Sequence, residues 1–310
     1  MPIRRQLLHA FRHRRGTPEF WLHLFLFACL GVAFWPVMRW IAATAHEQSR
    51  LFHALVILLF ATTILVKFGQ YSIRDPLTLN RSAARALGAA FALVGAAFFG
   101  ARFLPGGPPA ATAALLILPG YAFAVAAFAL FVFGDGVRRI TVTVTVALCA
   151  FLGLSLVMGP LDWPLRTLAG KWSGAALGLL GKNVDLGLAG AGAGPPKLIL
   201  LVDSHPFHVA SECNGFGVIL TSLLIAILLS VYRRSGVLDG VINCVAALTL
   251  GFAFNILRIV IIVLLTPALI EHYQLMHEIV GAITYWGCLV ALWLLLGGPV
   301  GERRSAARPA

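Results

Sequence analysis

Long apolar runs alternate with short polar connections along most of this chain. An α-helix needs roughly 20 mainly apolar residues to cross the hydrocarbon core of a bilayer. Runs of about that length recur about eight times. They cover residues 20–37, 51–66, 86–104, 111–133, 140–158, 214–232, 238–265 and 279–296. The pattern therefore predicts an all-α polytopic membrane protein with about eight transmembrane helices.

The apolar pattern is interrupted for one long stretch, residues 159–212, before the sixth predicted helix. Within it, residues 161–181 mix Trp and Leu with two basic residues, a pattern typical of an amphipathic helix at a membrane interface. Residues 187–196 are rich in Gly and Ala and end in a Pro pair, which predicts a loop. Residues 197–202 are apolar and lead into a polar stretch, which predicts one or two short strands.

Composition agrees with the membrane assignment, because 59% of the residues are hydrophobic, only 12% are charged, and the mean hydropathy is +0.89. The net charge of +12 would suit a nucleic-acid partner, but the basic residues do not form one patch. They mark alternate connections instead, so we expect no nucleic-acid partner.

The basic residues define an orientation. If the N-terminus is cytoplasmic, 16 of the 24 Lys and Arg residues fall on the inner side. By the positive-inside rule, both termini lie in the cytoplasm and residues 159–212 form a small extracytoplasmic insert in an inner-membrane protein. The 16 residues are Arg4, Arg5, Arg12, Arg14, Arg15, Lys67, Arg74, Arg81, Arg85, Arg138, Arg139, Arg233, Arg234, Arg303, Arg304 and Arg308.

This orientation divides the chain into four parts. Residues 1–158 form a five-helix scaffold, 159–212 the insert, 213–298 a three-helix membrane segment, and 299–310 a cytoplasmic tail. The basic N-terminus and first apolar run also resemble a secretory signal, with Ala43-Thr44-Ala45 fitting a cleavage site. That site lies well past the apolar run, which argues against cleavage.

One of the five cysteines stands at a membrane boundary. Cys213 lies just ahead of the sixth predicted helix, where unpaired N–H groups and the positive helix end favour the nucleophilic thiolate. Glu212 beside it opposes that effect. The other four lie inside apolar runs, where a thiol behaves as a small hydrophobe; they are Cys29, Cys149, Cys244 and Cys288.

Helix direction places two more polar residues at the same membrane face. Arg258 lies 20 residues beyond Leu238, about 30 Å along the helix, which is about one hydrocarbon thickness. His277 directly precedes the last predicted helix. Each residue alone could be an interfacial anchor. However, an unpaired guanidinium within apolar sequence costs about 2.5 kcal/mol or more, so we expect Arg258 to face a partner inside the bundle.

These three residues fit acyl transfer through a thioester. Cys213 would attack a peptide carbonyl, His277 would shuttle the proton, and Arg258 would stabilise the oxyanion. Asn214 and the amides around Gly215 would add to the oxyanion site, and His208 is an alternative base. The chemistry requires no cofactor. It also requires no metal, and His277-Glu278 lacks the second histidine of a His-Glu-x-x-His metal site.

Three short blocks resemble the signature of the exosortase/archaeosortase family of membrane transpeptidases. The blocks are Glu212-Cys213-Asn214-Gly215-Phe216, Asn255-x-x-Arg258, and His277 with Gly281 four residues later. The resemblance covers about residues 161–296 and adds Asn255 as an oxyanion or substrate-binding residue. Many members have Cys-Ser-Gly or Cys-Thr-Gly where this chain has Cys-Asn-Gly, which leaves the subfamily and the recognised motif open.

The resemblance implies a cysteine protease or transpeptidase acting on exported proteins. Such enzymes cleave a C-terminal tail made of a short motif, a transmembrane helix and a basic cluster. The partners implied are these substrates, membrane lipids and a lipid-linked or glycan acceptor. Two other classes remain as alternatives: a secondary transporter, which would carry ionisable groups near the bilayer midplane, and a membrane acyltransferase or glycan-assembly protein.

Overall fold

The computed structural model describes residues 3–47, 49–68, 71, 73–103, 110–189, 197–209 and 215–298. Most of these residues are helical. The helices are α1 (Ile3–Arg14), α2 (Pro18–Ala33), α3 (Trp35–Glu47), α4 (Ser49–Phe68), α5 (Arg81–Phe103), α6 (Ala110–Phe133), α7 (Arg138–Leu179), α8 (Phe216–Arg233), α9 (Val237–Leu265) and α10 (Tyr273–Leu295).

The prediction of an all-α polytopic membrane protein is confirmed. In the described part of the chain, six helical segments are long and apolar enough to cross a membrane. They are Arg81–Gly100, Ala114–Phe133, Asp135–Val157, Phe216–Arg233, Val237–Leu265 and Ile270–Leu295. The number rises to seven if α1 and α2, bent by 112°, form one span. The total of about eight stays a prediction.

The first two predicted spans differ most from the structure. The run 20–37 is divided between two helices, because α2 ends at Ala33 and Phe34 leaves the helical conformation. Pro36 then occupies the first turn of α3, a position where its missing N–H costs no helical hydrogen bond. The apolar part of α4, Phe52–Lys67, is shorter than the other candidate spans.

The chain divides into two compact units. The first comprises Met1–Leu156 with Ser230–Ser235, and the second comprises Val157–Leu229 with Gly236–Ala310. In the first unit, α5 and α6 pack closely through small residues, as is common between helices in lipid. A Cβ at Gly120 would already lie 3.4 Å from Leu93, which shows how near the two helices are.

The second unit begins within α7. Residues 161–179 are helical as predicted, but the helix does not stop at residue 159 and instead runs without a break from Arg138 to Leu179. Pro160 and Pro164 lie inside it. Each removes a hydrogen-bond donor to the preceding turn, yet neither ends the helix here. Their positions lie just past the boundary between the two compact units.

The insert contains a three-stranded antiparallel sheet in the order β1 (Val184–Ala189), β2 (Lys197–Val202) and β3 (His205–His208). Only one or two strands were expected, and residues 187–189 were expected in a loop. The sequence signal for β1 is weak because Asp and Gly, here Asp185 and Gly187, are uncommon in strands. In the structure the strand forms because all six of its residues pair with β2. The rest of the expected loop, 190–196, lies outside the described residues.

The turn between β2 and β3 is a two-residue connection. Asp203 and Ser204 both have positive φ, 49° and 67°, as a tight hairpin of right-handed twist requires. The Asp203 carboxylate accepts hydrogen bonds from Lys182 Nζ at 2.8 Å and from the Asn183 amide at 3.0 Å. The Lys182 bond, followed by that of Asn183, holds the pKa of Asp203 below its usual value.

A small hydrophobic core joins this sheet to two helices of the same unit. Leu198, Leu200 and Val202 lie on one face of β2 and form a single hydrophobic cluster with residues of α7 and of the C-terminal half of α9. The glycines of α7 allow this approach, since a Cβ at Gly174 would lie 3.2 Å from Val184. The sheet is therefore fixed beside the α9 residues that surround Arg258, namely Ile256, Ile259, Val260 and Val263.

Candidate active site

Arg258 and His277 are brought together by α9 and α10. The guanidinium Nη2 of Arg258 lies 3.2 Å from Nε2 of His277, and both side chains are half-buried. A guanidinium stays protonated and only donates, so Nε2 must be the acceptor. His277 is then neutral in this arrangement and carries its proton on Nδ1.

Tyr273, His277 and Gly281 follow one another at intervals of four residues along the face of α10 that meets Arg258. A Cβ at Gly281 would lie 3.4 Å from both Nε and Nη2 of Arg258, so this glycine leaves room for the guanidinium. One turn before His277, the ring of Tyr273 lies 6.0 Å from the imidazole. Tyr273 was missed by sequence reasoning, although its spacing of four from His277 is a usable signal.

Asn255 is one turn before Arg258 on α9 and is almost completely buried, at 2% exposure. It packs against Gly215. A Cβ on Gly215 would lie 2.6 Å from Cγ and 2.7 Å from Nδ2 of Asn255. Gly215 also has a φ of +73°, which residues with a Cβ rarely adopt. The glycine of the Cys-Asn-Gly block and the asparagine of the Asn-x-x-Arg block therefore meet directly.

One turn before Asn255 on α9, Gly251 meets α8. A Cβ at Gly251 would lie 3.2 Å from Cα of Ile219 and 3.4 Å from Oγ of Ser222. One stretch of α9 thus meets three different partners: Gly251 contacts α8, Asn255 contacts Gly215, and Arg258 contacts α10.

Cys213 and Asn214 lie outside the described residues, but the chain on either side is fixed. Val209 donates its N–H to the Leu198 carbonyl at 2.9 Å and belongs to the core beside Ile259 and Val260. Gly215 is held against Asn255.

Two other titratable residues have different surroundings. His208 is the last residue of β3, and its side chain is exposed, with no hydrogen bond to the residues that the structure describes. Because it is five residues before Cys213, it stays an alternative base. Glu278 is exposed and accepts a hydrogen bond from Gln274 at 2.7 Å. In the described ranges, no group of three or more His, Cys, Asp or Glu residues could hold a metal ion.

We expect Gly215→Ala to lower the stability of the protein by about 1–2 kcal/mol, because an L-residue is strained at positive φ. The overlap with buried Asn255 adds to this cost. Thermal unfolding of the purified protein in mild detergent measures the change. Gly178→Ala is the matched control, since no atom lies within 4 Å of a Cβ at that helical position. Equal melting temperatures for the Gly215→Ala variant and the wild type would contradict the close approach.

A family model described as Transmembrane exosortase matches residues 40–294. No significant match was found among curated proteins or among solved structures. The family match extends well beyond the three motif blocks, because it includes α4, α5, α6 and α7 as well as α8, α9 and α10. It covers more than half of the chain. This integral membrane protein therefore belongs to the transmembrane exosortase family, a class of transpeptidases and proteases that act on exported proteins with C-terminal tails.

Proposed function

We propose that this exosortase cleaves the C-terminal sorting tail of exported proteins through a thioester on Cys213. The observation that carries the proposal is the Arg258–His277 pair, 3.2 Å apart, with Asn255 one turn away holding Gly215. That contact brings the chain beside Cys213 to the helix that carries Arg258. The tail consists of a short motif, a transmembrane helix and a basic cluster.

In the first half of the reaction, the Cys213 thiol gives its proton to Nε2 of His277, and the resulting thiolate attacks the carbonyl carbon of the scissile peptide bond. The carbonyl oxygen becomes an oxyanion, which accepts hydrogen bonds from the Arg258 guanidinium and from N–H groups near Gly215. The intermediate collapses, the C–N bond breaks, and the leaving amine takes a proton from His277. The products are the released tail and a thioester between the exported protein and Cys213.

In the second half, water or an amine or glycan acceptor attacks the thioester carbonyl. His277 accepts the proton of the attacking group, and the Cys213 thiolate leaves. Water yields a free C-terminus, whereas an amine yields a new amide bond. A lipid-linked glycan would place the product in an envelope polymer.

The Arg258–His277 bond suggests how proton transfer and oxyanion binding are linked. Nε2 of His277 accepts from Arg258 and is the nitrogen able to receive the Cys213 proton. Once Nε2 is protonated it can no longer accept, and the two cations repel each other. The guanidinium is thereby released toward the oxyanion at the moment that charge forms there.

We place this site at the extracytoplasmic face of the inner membrane. The support is the distribution of basic residues, because 16 of the 24 Lys and Arg residues fall on the opposite side if the N-terminus is cytoplasmic. Exported substrates reach the same face. A secondary transporter is not favoured, because the polar pair lies near the C-terminal end of α9 and the start of α10 rather than at helix midpoints.

Capture of the thioester from outside the cell tests both the chemistry and the face. Intact cells would express this protein with an exported reporter that ends in a motif, transmembrane helix and Arg-rich cluster from the same genome. A labelled triglycine peptide, which does not cross the membrane, would be added as the amine. We expect label at the new C-terminus of the cleaved reporter. A reporter without the motif is the control, and label that appears only after the cells are broken open would contradict an externally accessible thioester.

A further inference from the structure

The first compact unit contains a half-open apolar cavity of about 510 Å³ between α4, α6 and α7. This volume lies within the range of roughly 300–1,000 Å³ that is usual for small-molecule sites. The wall from α6 is built of small residues, including Ala122, Ala126 and Ala129. Their short side chains leave the space open.

Two hydroxyl groups in the wall of this α4–α6–α7 cavity already have hydrogen-bond partners within the protein. Thr141 and Thr145 line it, but their hydroxyls donate to carbonyls of their own helix, at Val137 and Thr141 respectively. The wall therefore suits a hydrocarbon chain. One exception is Thr62, whose hydroxyl is buried and has no hydrogen-bond partner among the described residues.

Basic residues surround one end of the cavity. Lys67, in the last turn of α4, lines it directly together with Tyr71. Burial, followed by the interaction with Tyr232, raises the pKa of the Tyr71 phenol to about 12, so the phenol stays neutral. The nearby charge of Arg139 acts on the phenol in the opposite direction. Arg74 and Arg138 are next in sequence to the lining residues Ile73 and Val137. Each has an acidic residue close to it in the sequence, Asp75 and Asp135 respectively, which offsets its charge. The net positive charge at this end therefore rests on Lys67 and Arg139.

The charge beside the cavity decides between two membrane occupants, a phospholipid and the transmembrane tail of a substrate. The cavity volume of about 510 Å³ is compatible with one acyl chain. The basic cluster of a sorting tail would be repelled by Lys67, whereas a phosphate would be attracted to it.

We propose that the α4–α6–α7 cavity binds one anionic glycerophospholipid, with an acyl chain inside the cavity and the phosphate at Lys67. Thr62 is five residues before Lys67 on α4, about 7 Å deeper along the helix axis. An ester carbonyl at that depth accepts the hydrogen bond that the Thr62 hydroxyl otherwise lacks. The phosphate thus pairs with Lys67, the ester carbonyl accepts from Thr62, and the acyl chain contacts the apolar wall. Basic pockets between transmembrane helices bind acidic lipid headgroups in the same way.

The test is lipid binding to the full chain purified in mild detergent, measured by native mass spectrometry. Phosphatidylglycerol and phosphatidylcholine with identical acyl chains would be titrated separately. We expect the wild type to prefer phosphatidylglycerol. Lys67→Gln should weaken phosphatidylglycerol binding about fivefold, the effect of one basic residue near a lipid headgroup, and leave phosphatidylcholine binding unchanged. Arg102→Gln, an exposed cation in the last turn of α5 that does not line the cavity, is the matched control.

A second variant tests whether the acyl chain of the lipid lies inside the cavity. Ala129→Phe fills the cavity and should weaken binding of both lipids, and Val125→Phe, at another lining position, replaces it if Ala129→Phe does not fold. Equal affinity of the wild type for the two lipids would overturn the headgroup contact. Unchanged lipid binding in the folded cavity-filling variant would overturn the site itself.

Discussion

Replacing Cys213 by alanine is expected to abolish cleavage of the sorting tail while the protein remains inserted and abundant. The Cys213 thiolate is the one side chain that forms a covalent bond to the substrate in the proposed reaction. Cys213→Ser should be nearly as inactive, because a hydroxyl without an activated base is a weak nucleophile. Immunoblots of the reporter, with and without its tail, measure cleavage.

The other cysteines provide the matched control. A variant lacking Cys29, Cys149, Cys244 and Cys288 should retain most of its activity. Its stability should fall slightly, since Cys288 is completely buried and its Sγ lies 3.5 Å from Oγ of Ser222. Tail cleavage by the Cys213→Ala protein would remove the thioester mechanism altogether.

The same assay identifies the proton carrier. His277→Ala should abolish cleavage, because Nε2 is held beside Arg258, whereas His208→Ala should leave cleavage largely intact. The opposite result would reassign the base to His208 without changing the nucleophile.

Arg258→Lys should lower the rate of tail cleavage by about 10²–10³, the usual cost of losing one oxyanion donor. The guanidinium is a rigid planar fork, and its edge fits the space beside Gly281 while Nη2 reaches His277. An ammonium on a flexible stem cannot make both contacts in the same geometry. Initial rates of reporter cleavage at matched protein levels measure the loss.

Arg102→Lys controls for general effects of the substitution, since Arg102 is exposed at the end of α5. An Arg258→Lys protein that cleaves at nearly the wild-type rate would show that Arg258 is an interfacial anchor and has no role in oxyanion binding.

Helix periodicity and rise made one part of the site predictable. Counting 20 residues from Leu238 at 1.5 Å each placed Arg258 at the level of His277, and the structure brings the two side chains into hydrogen-bond distance. Apolar length likewise predicted most spans correctly. These properties depend on local sequence, so no knowledge of distant contacts was needed.

The parts that the sequence did not predict depend on partners far along the chain. Strand β1 contains Asp185 and Gly187 and is ordered by pairing with β2. The family resemblance pointed to Asn255 as an oxyanion or substrate-binding residue, but its contact with Gly215, 40 residues earlier, could not be predicted from the sequence. The unbroken course of α7 through Pro160 and Pro164 is also contrary to what local propensity predicts.

The three contacts of Gly251, Asn255 and Arg258 make the site sensitive to length changes in α9. One residue inserted between Asn255 and Arg258 would turn the guanidinium by about 100° around the helix axis and shift it by about 1.5 Å. Gly251 would still hold α8 and Asn255 would still hold Gly215, but Arg258 would face away from His277, and Ile259, Val260 and Val263 would turn away from the core that they share with β2. A point substitution changes one group, whereas an insertion here would separate groups that all remain chemically intact. Sequences of this family should therefore vary in length outside this stretch far more readily than within it.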